Sequence, residues 1–120
     1  MLKDILLVGT GSFVGGILRY LVSLMMKWNG NGFPWTTFMV NLLGCLLIGL
    51  LWGWSSRSLS PQIMLLLSVG LCGGFTTFST FSKESLMLLQ NGNYMIFTFY
   101  ILGSILFGIV ATFIGLQITK

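Results

Sequence analysis

The stretch Gly73-Gly74-Phe75-Thr76-Thr77-Phe78-Ser79-Thr80-Phe81-Ser82 decides how this chain is read. Two glycines open it, and five hydroxyl residues then alternate with phenylalanines. The flanks are apolar: Ile63-Met64-Leu65-Leu66-Leu67 before, Leu86-Met87-Leu88-Leu89 after. The whole run, 62–90, is about 29 residues long, whereas roughly 20 apolar residues cross a ~30 Å hydrocarbon core. Hydroxyl side chains compete with the backbone ladder, and glycine loosens a helix. The sequence therefore predicts a helix broken near 73–77, with carbonyls released from the ladder. Irregular backbone at membrane depth is tolerated only inside protein or beside water. Freed carbonyls can ligate a cation such as sodium. A Gly/Ser/Thr-rich packing helix without an ion is the other reading of these residues.

Working outward, composition supports a membrane setting. Of 120 residues, 55% are hydrophobic and 7% charged, and the mean hydropathy is +0.95. A soluble domain carries about 25% charged residues. So short a chain cannot hide this much apolar surface from water, which excludes a soluble globular enzyme. The absence of His and the two separated Cys exclude the common zinc and haem spacings. Paired-carboxylate catalysis would need Asp4 and Glu84 to meet, since they are the only acids. The net charge of +4 comes from scattered Lys and Arg, not a cluster, so nucleic-acid binding is excluded. Cys45 and Cys72 sit in apolar runs and read as small buried hydrophobes rather than a disulfide.

Four runs are long enough to span a bilayer: 5–26, 35–54, 62–90 and 94–117. Turn chemistry separates them, at Asn29-Gly30-Asn31-Gly32-Phe33-Pro34, Ser55-Ser56-Arg57-Ser58 and Asn91-Gly92-Asn93. Pro61 suits a first helical turn. The opening run resembles a signal peptide but continues through Arg19-Tyr20 without a clear cleavage site, so it reads as a retained helix. The expected architecture is one all-α transmembrane domain over 1–120. An even number of spans puts Lys3, Arg57 and Lys120 on one side and Lys27 on the other, a weak lean of the termini toward the cytoplasm.

Polar residues inside spans need partners or water. Gly11 with Gly15, and Ser12 with Gly16, give small-xxx-small spacing for close helix packing. Arg19 lies well before the end of its run, so it either snorkels toward the Lys27 side or lines an aqueous vestibule that attracts anions. Asn41 either bonds a neighbouring helix or points an NH2 donor into a pore. Phe78 and Phe81, three apart, share a helical face; they are core, or their positive ring edges meet an anion. Tyr100, Ser104, Gly108 and Thr112 form one stripe at steps of four. That stripe packs through small residues or offers hydrogen bonds along a path. Amide and hydroxyl donors with ring edges can replace part of an anion's water without a fixed charge, and conduction favours such weak, multiple sites.

Three blocks together resemble the CrcB/Fluc fluoride-channel family. They are Gly73 to Ser82 continuing into Lys83-Glu84, Gly11-Ser12-Phe13-Val14-Gly15-Gly16-Ile17-Leu18-Arg19-Tyr20, and Thr37-Phe38-Met39-Val40-Asn41-Leu42-Leu43-Gly44. The resemblance covers the whole chain. It implies an antiparallel, inverted dimer with two fluoride pores in the cell membrane, letting fluoride leave the cytoplasm passively. It implies that Asn41 faces the pore, that Phe78 and Phe81 form an aromatic box shared between subunits, and that Ser79, Thr80 and Ser82 lie beside it. Tyr100, Ser104 and Thr112 match the polar side of the fourth helix, and Arg19 the vestibule. Carbonyls of Gly73 and Thr76 would hold a structural sodium ion at the dimer centre. The partners implied are fluoride, sodium, lipid and a second copy, or a paralogous subunit. Cys45 stands where serine is frequent, and Gly108 supplies no hydroxyl, so the fourth-helix track is sparser here.

Two other classes compete. A small multidrug exporter needs a membrane-embedded carboxylate, and the first helix has none beyond Asp4 at its edge. A non-transporting scaffold would need the packing glycines but not the Phe/Thr/Ser block. Four short helices are too few to ring a pore alone, which favours a dimer.

Overall fold

A computed structural model describes residues 1–28, 30, 32–55 and 60–120. Arg57, on which the charge reading partly rests, lies outside the described residues, as do Asn29, Asn31, Ser56 and Ser58 of the turn segments. The fold is all-helical, with four helices long and apolar enough to cross a membrane. The first, α1, is Leu2–Met25 and the second, α2, is Trp35–Ser55. The third span is composite: α3 (Pro61–Met64), a π-helical stretch Leu65–Cys72, α4 (Gly73–Phe75), a break, then α5 (Phe78–Gln90). The last, α6, is Tyr94–Thr119.

Local chemistry sets the ends. Ser60 Oγ accepts from the Ile63 N–H at 3.2 Å, and Pro61 occupies the first turn, where its missing N–H costs nothing. Between α5 and α6 the chain closes a Schellman turn: Asn93 N–H donates to Leu88 O at 2.9 Å and Gly92 N–H to Leu89 O at 3.2 Å. Gly92 takes φ +78°, the left-handed conformation that this cap requires. The first helix begins earlier than expected, at Leu2, with Asp4 in its first turn against the positive end of the dipole.

The helices pair two by two. α1 lies against the π-helical stretch and α4, while α2 lies along α6. Both seams depend on missing side chains. A Cβ on Gly11 would stand 2.7 Å from Leu71 N, and one on Gly115 would stand 2.8 Å from Leu50 N. The small-xxx-small reading of Gly11 and Gly15 thus describes a real seam, whereas a Cβ on Gly16 would meet open space. Phe38, Leu88 and Tyr100 form a small core where α2, α5 and α6 converge. Most other large apolar side chains face outward, Ile109 at 65% exposure among them, as suits lipid rather than water.

Candidate functional site

The site is organised by the break in the third span. Thr76 (φ −83°, ψ 155°) and Thr77 (φ −146°, ψ 128°) are extended. The Thr76 N–H and hydroxyl both donate to Cys72 O, each at 2.9 Å. The Thr77 N–H donates across to Asn41 Oδ1 at 3.0 Å, and Asn41 Nδ2 donates back to Thr77 O at 3.3 Å. Thr77 Oγ1 then caps α5 by accepting from Thr80 N–H at 3.3 Å.

These side-chain bonds redirect the ladder. In a continuous α-helix Thr77 N–H would serve Gly73 O, and Thr80 N–H would serve Thr76 O. Both donors go instead to side-chain oxygens. The two carbonyls named for sodium are thus among those whose regular partners have been diverted. Gly74 O, whose helical partner would be Phe78 N–H, accepts from Arg19 Nε at 3.2 Å. Arg19 is therefore bound at the break, not extended along the helix toward the bilayer edge.

At the break, α2, α5 and α6 border an open cavity of about 370 Å³. Asn41, Thr77, Phe78, Phe81, Ser104 and Thr112 contribute to its wall, and no described lining residue is charged. The rings of Phe78 and Phe81 lie 6.0 Å apart at 45°. Phe81 is backed by Tyr100 at 4.9 Å, while Phe78 projects from the protein, 79% exposed. Ser104 Oγ is buried and, among the described residues, has no hydrogen-bond partner. An oxygen in that state costs about 1–3 kcal/mol, so it marks a place where a ligand or water belongs.

Thr76 also lines this cavity, whereas Ser79, Thr80, Ser82 and Tyr100 do not. Ser79 Oγ and Thr80 Oγ1 each lie 3.3 Å from Thr77 Oγ1, building the cap. Ser82 is exposed on α5. Tyr100 is buried behind Phe81, and its hydroxyl donates to Glu84 Oε1 at 3.0 Å. Thr37, buried on α2, lies beside the same carboxylate. The Glu84 carboxylate thus finds a donor on another helix, as a buried acid requires.

Thr77 and Thr37 enter the site without a role assigned from sequence, and Glu84 stood out there only as one of two acids. The first carried a signal, since a Thr opening Thr77-Phe78-Ser79-Thr80 has the form of a helix N-cap. The Thr37–Glu84–Tyr100 group carried none, because it joins three helices across the fold.

The arrangement can now be set beside known proteins. The sequence matches the family described as CrcB-like protein, Camphor Resistance (CrcB), over residues 6–116. This chain belongs to the CrcB family. Among CrcB relatives, one from Phocaeicola vulgatus, named fluoride-specific ion channel FluC, is 46% identical over 121 residues, covering 99% of this chain and 100% of that protein. One from Chlorobium phaeobacteroides with the same name is 48% identical, covering 97% and 92%. A third, from Chlorobaculum tepidum, is 44% identical, covering 100% and 97%. The break, its clasp and the cavity therefore belong to a CrcB fold that the match spans almost end to end.

Proposed function

We propose that this CrcB-family chain is a fluoride-selective ion channel, a multi-pass protein of the cell membrane that lets fluoride leave the cytoplasm passively. It is a channel and not an enzyme. The near full-length identity to proteins named fluoride-specific ion channels carries the reading. The chemistry of the cavity agrees with it. A small anion losing its water there would meet the Ser104 hydroxyl, the Asn41 amide and the positive edges of Phe78 and Phe81. No cation in the wall would trap it, as rapid passage requires. The exporter alternative is not favoured, since Glu84, the only acid within a span's interior, is engaged by Tyr100.

The working unit in this proposal is an inverted dimer with two pores. A phenylalanine as exposed as Phe78 lies on the flank of the cavity, where a second copy would cover it and complete the aromatic box. Ser79, Thr80 and Ser82 sit next to that box, Ser104 and Thr112 line the path along α6 with Tyr100 behind Phe81, and Arg19 brings a positive charge to the break. The Gly73 and Thr76 carbonyls fit a structural sodium ion, a hard cation that takes oxygen ligands, because their ladder donors are occupied elsewhere. Sodium there would hold the two breaks together; it takes no part in moving fluoride.

The test is growth. A bacterial strain lacking its own fluoride exporters, made to express this chain, grows in millimolar fluoride, and the same strain expressing Phe81→Ile grows poorly. Equal sensitivity with and without the well-expressed wild-type protein overturns the proposal.

A further inference from the structure

The polar stripe of α6 has a gap. Ser104 and Thr112 lie eight residues apart, about 12 Å at 1.5 Å per residue, and Gly108 between them carries no side chain. The Thr112 hydroxyl gives its proton to the Cys45 and Gly108 carbonyls, so no free hydroxyl donor follows Ser104 along α6. Across the α2–α6 seam, however, a side chain fills that space. A Cβ on Gly108 would lie 3.4 Å from Cys45 Sγ. Cys45 is a free, half-buried thiol. It lines the 370 Å³ cavity together with Ser104 and Thr112, and lines with the same two residues a neighbouring cavity of about 540 Å³. The register is fixed from the backbone, for Thr112 Oγ1 lies 3.1 Å from Cys45 O and 3.0 Å from Gly108 O. The buried, partnerless Ser104 Oγ stands one turn before the gap and points independently to a ligand in this region.

We propose that Cys45 is a pathway-lining residue: its thiol, supplied from α2, stands in for the side chain that Gly108 lacks and extends the donor track beyond Ser104. A thiol is a weak S–H donor, suited to transient contact. The inference rests on the fluoride-channel reading. It also makes this channel open to block at one sulfur. Methyl methanethiosulfonate would add a thiomethyl group there: the Cys45 thiolate attacks the reagent's thiomethyl sulfur, an S–S bond forms, methanesulfinate leaves, and the thiol proton goes to water.

Fluoride efflux from liposomes tests this with wild type, Cys45→Ser, Cys45→Ala, Cys72→Ala and the double variant Cys45→Ala/Gly108→Ser. Cys72 is 1% exposed and lines neither cavity, so its variant is the control. Cys45→Ser keeps near wild-type flux, and Cys45→Ala loses about tenfold, the rate equivalent of one net hydrogen bond. Gly108→Ser in the Cys45→Ala background restores the flux. The reagent slows wild type and Cys72→Ala but not Cys45→Ser. Wild-type flux in Cys45→Ala, or an unimpeded wild type whose Cys45 is shown by mass spectrometry to be modified, overturns the role of Cys45 alone. Should the thiol resist modification, the Cys45→Ala and rescue pair decides. A folded wild type that passes no fluoride overturns the channel reading itself.

Discussion

Asn41 holds both backbone groups of Thr77, taking its N–H on Oδ1 at 3.0 Å and reaching its carbonyl through Nδ2 at 3.3 Å. One side chain on α2 thus stands in for two missing ladder bonds at the break. Asn41→Leu leaves both groups without partners at a cost of about 1–3 kcal/mol each. Asn41→Asp keeps an acceptor for the N–H and loses the donor to the carbonyl. Thermal unfolding in detergent is expected to rank wild type above Asp and Asp above Leu, with fluoride flux reduced in both variants. A Leu variant as stable as wild type would show that the clasp contributes nothing.

Gly15 and Gly16 are neighbours with opposite expectations. A Cβ on Gly15 would stand 2.8 Å from Phe75 N, against backbone that cannot yield, while Gly16 faces open space. Gly15→Ala is predicted to cost at least about 1–3 kcal/mol, the usual range for overpacking, and to lower the yield of monodisperse protein. Gly16→Ala should be neutral or slightly stabilising, because alanine favours the helix. Unfolding midpoints of the two variants compare the predictions directly.

Phe81 is wedged between Phe78 and Tyr100. Phe81→Ile keeps apolar bulk and removes the ring edge, so flux is expected to fall by about two- to tenfold, in line with the ~0.5–1.5 kcal/mol that specific aromatic geometry contributes. The variant should elute from size exclusion as wild type does. Unchanged flux would remove Phe81 from the pathway.

Exchange of sodium for a large organic cation, such as N-methyl-D-glucamine, should lower the unfolding midpoint of the purified protein. A ligand at ~100 times its Kd stabilises by about 2.7 kcal/mol, and returning sodium should recover the loss. A midpoint indifferent to sodium counts against the carbonyl site at Gly73 and Thr76.

Much of this was legible in advance where a signal was local. Apolar runs and turn residues located the four spans, and glycines beside hydroxyls located the break, found at Thr76 and Thr77. The π-helical Leu65–Cys72 was not legible, since an unbroken apolar run carries no mark of an i→i+5 ladder. Asn41 was open between a helix contact and a free donor because its partner, the Thr77 peptide, becomes available only once the third span breaks. Glu84 was silent for a related reason: its neighbours Thr37 and Tyr100 come from other helices. Cys45 read as plain core, and only the Gly108 gap opposite it revealed a wall position.

The central claim is selective fluoride passage, and ion efflux from liposomes measures it most directly. Vesicles holding both potassium fluoride and potassium chloride, reconstituted with the purified protein, are given a potassium ionophore and followed with fluoride and chloride electrodes. The account predicts rapid fluoride release with chloride retained. Equal release of both anions, or retention of both by folded protein, would contradict it.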